Sequence, residues 1–281
     1  MTSSLYFFYT RLRREEKLLF QAAEDLGIPF ESVNVRDLTF PDHLKLKEND
    51  VAVCRCVSHV QNLALARALE SKGVRTVNNS KVMDVCGDKI ATAALFLEKN
   101  IPQPDFKVAF SPEGAVEAAE KMGFPVVFKP ATGSWGRLLA KVNDVETAEA
   151  IAEHKSFLGP HHQVFFIQKY IEKKGYDLRA TIIGGKAVSL IKRISDHWIT
   201  NTARGASAEG MKLGEDLKKF IGEIAQATGG DFLALDLFES DGGWLVNEIN
   251  GQPEFRNSIN TTGVDIPTIF VEYAWQLTKN I

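Results

Sequence analysis

The first eighty residues alternate short apolar runs with stretches whose apolar positions recur every three or four residues. Leu5-Tyr6-Phe7-Phe8-Tyr9 is short and rich in β-formers, which predicts a buried strand. Arg14–Leu26 carries helical spacing, and Gly27 ends it. Phe30–Val35 alternates, Val51–Cys54 is a further apolar run, Gln61–Ser71 is helical with Gly73 as its stop, and Val74–Val77 is a fourth strand. Strands separated by helices imply parallel β–α–β units, hence a small open α/β domain. A helix is expected over Asp88–Lys99, and Ile101-Pro102-Gln103-Pro104 forces an extended exit from it.

From about residue 107 to 170 the order is strand, helix, strand, glycine loop, strand, helix, strand. Phe106–Ala109 precedes a helix with Ser111 as N-cap and Pro112 at its first position. Val126–Lys129 and Leu138–Val142 flank a loop containing Thr132-Gly133-Ser134-Trp135-Gly136-Arg137. The helix Val145–His154 and the strand Phe165–Lys169 close the unit. An antiparallel pair around such a loop is a flap able to close over something. In the last third, Leu178–Ile183, Lys186–Ile191, Phe232–Phe238 and Trp244–Asn250 read as strands. Gly184-Gly185 and Ser240–Gly243 are hairpin connections, so these strands pair antiparallel. One helix, Gly214–Thr228, lies among them, and no repeat or low-complexity linker is visible.

The 281 residues exceed one compact core and suffice for two or three modules. A net charge of −3 gives no whole-chain reason to expect nucleic acid or an anionic membrane, although a local basic face remains open. The longest apolar runs, such as Val164–Ile167, are far shorter than a spanning helix, and Met1-Thr2-Ser3-Ser4 does not read as a signal peptide. Cys54, Cys56 and Cys86 read as reduced, mostly buried thiols, which fits a cytoplasmic protein. His161-His162 reads as a solvated loop.

Chemistry concentrates in a few places. Glycines and hydroxyls in FKPATGSWGR (128–137) suit a phosphate, because they expose N–H and O–H donors; a surface hairpin turn explains the same residues. Asp236 interrupts Leu233-Ala234-Leu235-Asp236-Leu237, and period-2 geometry puts Glu248 and Asn250 on one face of the following strand. A carboxylate in so apolar a strand is costly without a partner. Three hard oxygen donors there suit Mg²⁺ held together with phosphates. Lys89 at a helix start and Lys129 at a strand end complete a nucleotide triphosphate site. Ile167-Gln168-Lys169-Tyr170-Ile171 then offers an edge strand whose backbone can bind an adenine.

Together, Asp88-Lys89, Phe128-Lys129-Pro130, Gly133–Arg137, Gln168–Ile171, Asp177-Leu178-Arg179 and Asn247-Glu248-Ile249-Asn250 resemble the ATP-grasp fold in its RimK-like branch. "VCGDK", "GSWGRLLAKV", "HWITNTARG" and "EFRNSINTTGVDIP" further resemble the LysX/ArgX family of lysine and arginine biosynthesis. The resemblance implies an α/β (α+β) chain with an N-terminal Rossmann-like domain (1–86) and an ATP-grasp region (87–281). That region divides into a central lid (107–170) and a C-terminal, metal-binding subdomain (171–281). Lys169 stands where the family usually has glutamate, and a lysine cannot accept from an adenine amino group.

In that family α-aminoadipate is joined, through its amine, to the side-chain carboxyl of the C-terminal glutamate of a small acidic carrier, LysW. The resemblance thus implies ATP, with Mg²⁺ as two ions and Mn²⁺ as a substitute, held by Asp236, Glu248 and Asn250. Lys89, Lys129, Gly133, Ser134, Trp135, Gly136, Arg137, Gln168, Lys169, Tyr170, Ile171, Asp177, Arg179 and Asn201 are the expected ATP residues. Arg179 and Arg193 are the candidate catalytic cations, for an oxyanion or for the amino acid's α-carboxylate. Arg193, Thr202, Ala203, Arg204, Glu254, Phe255, Arg256, Asn257 and Ser258 are the expected amino-acid residues. An exposed Glu254–Arg256 ion pair is the plainer account of two of them. Arg13, Arg14, Arg55 and Lys192 are candidates for steering the acidic carrier. A homo-oligomer is expected, with neither nucleic acid nor membrane as partner. Glutamate in place of α-aminoadipate, ligation onto another protein or coenzyme, and nucleotide binding without catalysis are the rival readings.

Overall fold

The computed structural model describes residues 3–40, 46–47, 49–133, 137–200 and 205–279. Its first sheet contains β1 (Leu5–Tyr9), β2 (Phe30–Asn34), β3 (Val51–Arg55) and β4 (Arg75–Val77), all parallel, in the order β2-β1-β3-β4. β1 and β3 are the two central strands and almost wholly buried, which is why they are unbroken apolar runs. Helices α1 (Arg14–Asp25) and α2 (His59–Glu70) follow β1 and β3. The chain leaves β1 toward one side and β3 toward the other, so a crevice opens at their carboxyl ends. There the Val57 N–H donates to the Thr10 hydroxyl at 3.0 Å and holds the two loops side by side.

Two short helices, α3 (Ser80–Gly87) and α4 (Lys89–Glu98), lead into a second sheet. This sheet is antiparallel and consists of β5 (Phe106–Ala109), β6 (Val126–Pro130), β7 (Ala140–Val142) and β8 (Phe165–Lys169), in the order β5-β8-β6-β7. Helices α5 (Pro112–Met122) and α6 (Val145–Ser156) cover one face. Their buried Ala115, Ala119, Ala148 and Ala152 let both approach Phe128, Phe165 and Ile167 closely. The expected edge strand is corrected here. β8 lies between β5 and β6, so the ladder groups of Gln168 and Lys169 are already paired.

The third sheet is antiparallel, with β9 (Tyr176–Ile183), β10 (Lys186–Ile194), β11 (Ser207–Gly210), β12 (Phe232–Ser240) and β13 (Gly243–Asn250) in the order β11-β10-β9-β12-β13. Helix α7 (Glu215–Thr228) packs Leu217, Ile221 and Ile224 on Leu178, Ala180, Leu233, Leu235 and Leu237. Strand alternation therefore turns Asp177, Arg179 and Asp236 to the other face. β13 carries a bulge opposite Asp236 and Leu237: Asp236 pairs with Glu248, and Leu237 with Val246. Asn247 is the extra residue, and Glu248 comes level with Asp236.

No element is expected from the sequence after Asn250, yet the chain forms two helices there, α8 (Arg256–Thr262) and α9 (Ile266–Leu277). α9 is apolar on most of its surface, which hides a 3.6-residue period. Its Phe270, Val271, Ala274 and Leu277 share one core with Leu5, Phe7 and Leu19 of the first sheet and α1. The Asn78 amide makes a second tie. It donates to the carbonyls of Phe232 and Gly251 at 2.6 and 2.7 Å, and accepts from the N–H groups of Asp231 and Phe232 at 2.6 and 2.9 Å. The first and third sheets are thus bound through a common interior. Phe270 is fully buried and stacks on Phe232 at 4.3 Å between centroids. Phe270→Ala is expected to cost about 3–5 kcal/mol in urea unfolding, and a loss below about 1 kcal/mol would contradict a shared core.

Candidate active site: two clefts that meet at one arginine

Between the second and third sheets lies a cleft of about 110 Å³ that is lined by half of the expected nucleotide residues, Lys129, Gln168–Ile171, Asp177 and Arg179. β6 turns Val126 and Phe128 to the helices and Val127 and Lys129 to this cleft. The buried Lys129 ammonium donates to the Asn247 side chain at 2.9 Å. Burial pushes its pKa down to about 7, against the pull of nearby Glu248. Val127, Ile199 and Phe238 give the cleft apolar walls. Lys173, which no sequence motif singled out, also lines it and donates to the Thr200 hydroxyl at 3.0 Å. Lys169 turns its ammonium away, onto the Met122 and Gly123 carbonyls at the end of α5. The Tyr170 N–H donates to Pro125 O at 3.3 Å. Backbone for an adenine therefore begins at Ile171, where the chain has left the sheet.

Four charges, three of them buried and Arg179 partly exposed, form a ladder across β10, β9 and β12. Arg193 stands opposite Asp177 and donates to it through Nε and Nη2 at 2.6 and 2.7 Å. Arg179 stands opposite Asp236 and makes the same fork at 2.6 and 2.7 Å. Arg193 Nη2 also reaches Asp236 at 3.0 Å, and the Thr200 hydroxyl donates to Asp177 at 2.5 Å. Burial alone would raise the Asp236 pKa, but Arg179 and Arg193 outweigh it and hold the carboxyl at about 2. For Asp177 burial wins over Arg193, and its pKa rises. Asp177 and Arg179, two residues apart on one strand, thus pair with other strands and not with each other.

Asp236, Glu248 and Asn250 all line the nucleotide cleft. Three arginine N–H bonds leave the Asp236 carboxylate about one of its four acceptor positions. Glu248 is more open, with Lys89 Nζ at 3.5 Å. Two carboxylates and an amide oxygen at one end of a strand pair fit a hard cation such as Mg²⁺. Lys89 is also bound to the base of the glycine loop. Its ammonium donates to Gly133 O at 2.7 Å, and its N–H donates to Ala131 O at 2.8 Å. Asp88 caps α4 by accepting from the Ile90 and Ala91 N–H groups. Gly133 has φ of +122°, which a side chain would strain. Arg137 is exposed, and Ser134, Trp135 and Gly136 lie outside the described residues.

A larger cleft, of about 440 Å³, opens between the carboxyl ends of β1 and β3 and the segment 250–260. Arg13, Arg14, Glu254, Arg256 and Asn257 line it. Arg179, Glu248 and Asn250 line both clefts. His59, which the sequence reading missed, stacks so closely on Gly87 that a Cβ there would come within 2.1 Å of its ring. Three expectations are corrected. Phe255 belongs to the shared core, fully buried against Phe232. Arg55 is 2% exposed and bound to Glu16 and Pro253 O, so it offers nothing to a docking partner. Lys192 points away from the cleft-facing Arg193, onto the Tyr176 ring at 3.7 Å. Nor do Glu254 and Arg256 pair: Glu254 has Arg13 at 3.5 Å, and Arg256 has Glu15 at 3.8 Å. Ser258 is buried beside the small pocket that Arg193 and Asn257 share. Asn201, Thr202, Ala203 and Arg204 lie outside the described residues.

A buried lysine on a strand that leads into a glycine loop, facing an antiparallel sheet with paired carboxylates, is the architecture of an ATP-grasp ligase. The chain belongs to the RimK-like ATP-grasp family, whose domain model matches residues 86–274, and a LysX preATP-grasp domain model matches residues 6–85. The chain is 35% identical to a glutamate--LysW ligase ArgX of Sulfurisphaera tokodaii, over 93% of this chain and 94% of the relative. It is 34% identical to an alpha-aminoadipate--LysW ligase LysX of the same organism, over 92% and 93%. Among solved structures, a RimK domain ATP-grasp protein of Sphaerobacter thermophilus superposes with a TM-score of 0.80 at 24% identity, over 96% of this chain and 98% of that one. A D-alanine--D-alanine ligase of Bacillus anthracis gives a TM-score of 0.68 at 18% identity, over 99% of each. ATP and a divalent metal are the general requirements of this fold.

The depressed Lys129 gives a direct check on the nucleotide cleft. Near pH 8 its amine is mostly neutral, and a polyphosphate beside it restores the charge. ATP binding, followed by calorimetry in buffers of different ionisation enthalpy, is expected to take up close to one proton per site, roughly. No uptake in the wild type, or equal uptake in Lys129→Met, would contradict the assignment.

Proposed function

We propose that the chain joins the amine of α-aminoadipate to the side-chain carboxyl of the C-terminal glutamate of LysW, at the expense of ATP. The observation that carries this reading is the match with LysW ligases over more than nine-tenths of both chains. The layout of the two clefts agrees with it: one suits a nucleotide, the other is lined by Arg13, Arg14 and Arg256, and they meet at Arg179. A dicarboxylic amino acid and an acidic chain end both require such cations. The strings around Asn201–Arg204 and Glu254–Ser258 favour α-aminoadipate. Glutamate remains the second reading, because the chain is as similar to ArgX relatives as to LysX relatives.

In this reading the ATP phosphates lie against Lys89, Lys129 and the flap, with the base against Tyr170 and Ile171. Asp236, Glu248 and Asn250 hold Mg²⁺, as two ions for which Mn²⁺ substitutes, and the metal supplies neutralisation of phosphate charge. The carrier's carboxylate attacks the γ-phosphorus and ADP leaves, giving an acyl phosphate. The amine then attacks that carbonyl and phosphate leaves. Arg179, fixed by Asp236 and shared by both clefts, faces the charge that develops on the carbonyl oxygen. Arg193 sits behind it as the cation that keeps Asp236 ionised. Ordering of positions and exclusion of water matter most, since an acyl phosphate reacts readily. We also expect a homo-oligomer.

The test is ADP release with purified carrier and an equal mixture of the two amino acids. ADP is expected only when ATP, carrier and amino acid are all present. One methylene is worth about 1 kcal/mol, so α-aminoadipate should be preferred by roughly five- to tenfold. A carrier loaded mainly with glutamate would move the chain to the second reading, and carrier-independent turnover would overturn both.

A further inference from the structure

The second half of this reaction makes a demand that the cations cannot meet. At neutral pH an amino acid carries its amine as an ammonium, which has no lone pair to attack with. A carboxylate must receive it and take a proton. Besides Glu248, two stand at the larger cleft: Glu254 on its wall, and Glu15 behind Arg256, which is part of that wall. Glu254, four residues beyond β13, lines that cleft and also the small pocket beside Arg179 and Arg193. Glu15, in the first turn of α1, is 2% exposed, and among the described residues its Oε1 receives no hydrogen bond. The cation nearest to it, Arg256 Nε at 3.8 Å, is beyond hydrogen-bond reach, and its residue is 51% exposed. Its neighbour Glu16 is fully occupied by Arg13 and Arg55. A buried carboxylate oxygen without a donor is costly, and here a ligand would supply the missing one.

We propose that Glu254 and Glu15 form the ammonium subsite of the amino acid, and that Glu254 accepts the proton which frees the amine for attack. This rests on the amide-ligase reading above. The half-exposed Arg256 covers Glu15 only loosely, so an incoming zwitterion can exchange partners with it. The ammonium goes to Glu15 and Glu254, and the guanidinium goes to a substrate carboxylate. One ammonium proton passes to Glu254 and on to solvent. The nitrogen lone pair forms the C–N bond, the bond from the carbonyl carbon to the bridging oxygen breaks so that phosphate leaves with that oxygen, and the second proton departs with the phosphate. Burial and the neighbouring Glu15 raise the Glu254 pKa, opposed by Arg13, Arg256 and Arg55. A carboxylate with a raised pKa is the better base.

The test separates amine capture from carrier phosphorylation. Hydroxylamine is already neutral at neutral pH, so it traps an acyl phosphate as a hydroxamate without needing either carboxylate. For Glu254→Gln the ratio of amino-acid ligation to carrier-dependent hydroxamate should fall by about 100-fold or more. For Glu15→Gln the Michaelis constant for the amino acid should rise about tenfold or more. The ligation rate of Glu254→Gln should also climb about tenfold per pH unit above neutrality, as free amine accumulates, while the wild type levels off. Hydroxamate from the same samples reports that each variant is folded. Unchanged ratios, with pH profiles parallel to wild type, would overturn the subsite. Wild-type protein that forms no carrier-dependent hydroxamate would instead remove the carrier reading, and the subsite with it.

Discussion

Everything in the site hangs from one buried carboxylate. Asp236 lies in a strand of leucines, 3% exposed, where an unpaired charge would be prohibitive. Arg179 and Arg193 make it tolerable, and Asp177 balances Arg193 in turn. Two anions and two cations at opposed positions on three strands leave little freedom in where Arg179 can be. Its guanidinium is consequently fixed at the wall shared by both clefts. The sign of the coupling also follows. The folded Asp236 pKa lies below the ordinary carboxylate value, so its stabilisation is complete above that value and is lost only as the pH falls toward 2.

The rigid ladder is matched by a firm junction and a looser roof. The first and third sheets share a core through α9 and are pinned by the four hydrogen bonds of Asn78. The larger cleft is therefore set by packing and does not depend on a partner to assemble it. The second sheet has a core of its own, among α5 and α6. Across the nucleotide cleft it reaches the third sheet through Lys129 and Asn247 and, at the glycine loop, through Lys89 and Glu248. Polar links of this kind break and reform more readily than a packed interior.

Much of this was legible in the sequence. The parallel and antiparallel sheets followed from the spacing of apolar runs, and Asp236 was conspicuous because an acid among leucines needs a partner. The cleft-facing set Lys129, Asp177, Arg179, Glu248 and Asn250 also emerged from period-2 alternation joined to the family resemblance. Other features depend on long-range placement. Nothing local in Phe106–Ala109 says that it will pair with β8 and bury an expected edge. Phe255 and Arg55 lie about two hundred residues apart and pack on each other, so a family-like string suggested an amino-acid contact, and a charge suggested a docking face, where packing made a core. Asn247 was named in its motif, but its contact with Lys129 was hidden because the bulge that aims it there shifts the strand's alternation. Glu15 carries no local signal of function, and only the fold turns it toward Arg256.

The central claim is that a phosphoryl group moves in one cleft and an amine enters from the other, with Arg179 between them. Isotope transfer tests it most directly. With the carrier's acceptor carboxylate labelled with ¹⁸O, the account requires one labelled oxygen in each inorganic phosphate released, in step with amide formed. Unlabelled phosphate accompanying amide product would contradict a carboxylate activated as an acyl phosphate, and with it the division of labour between the two clefts.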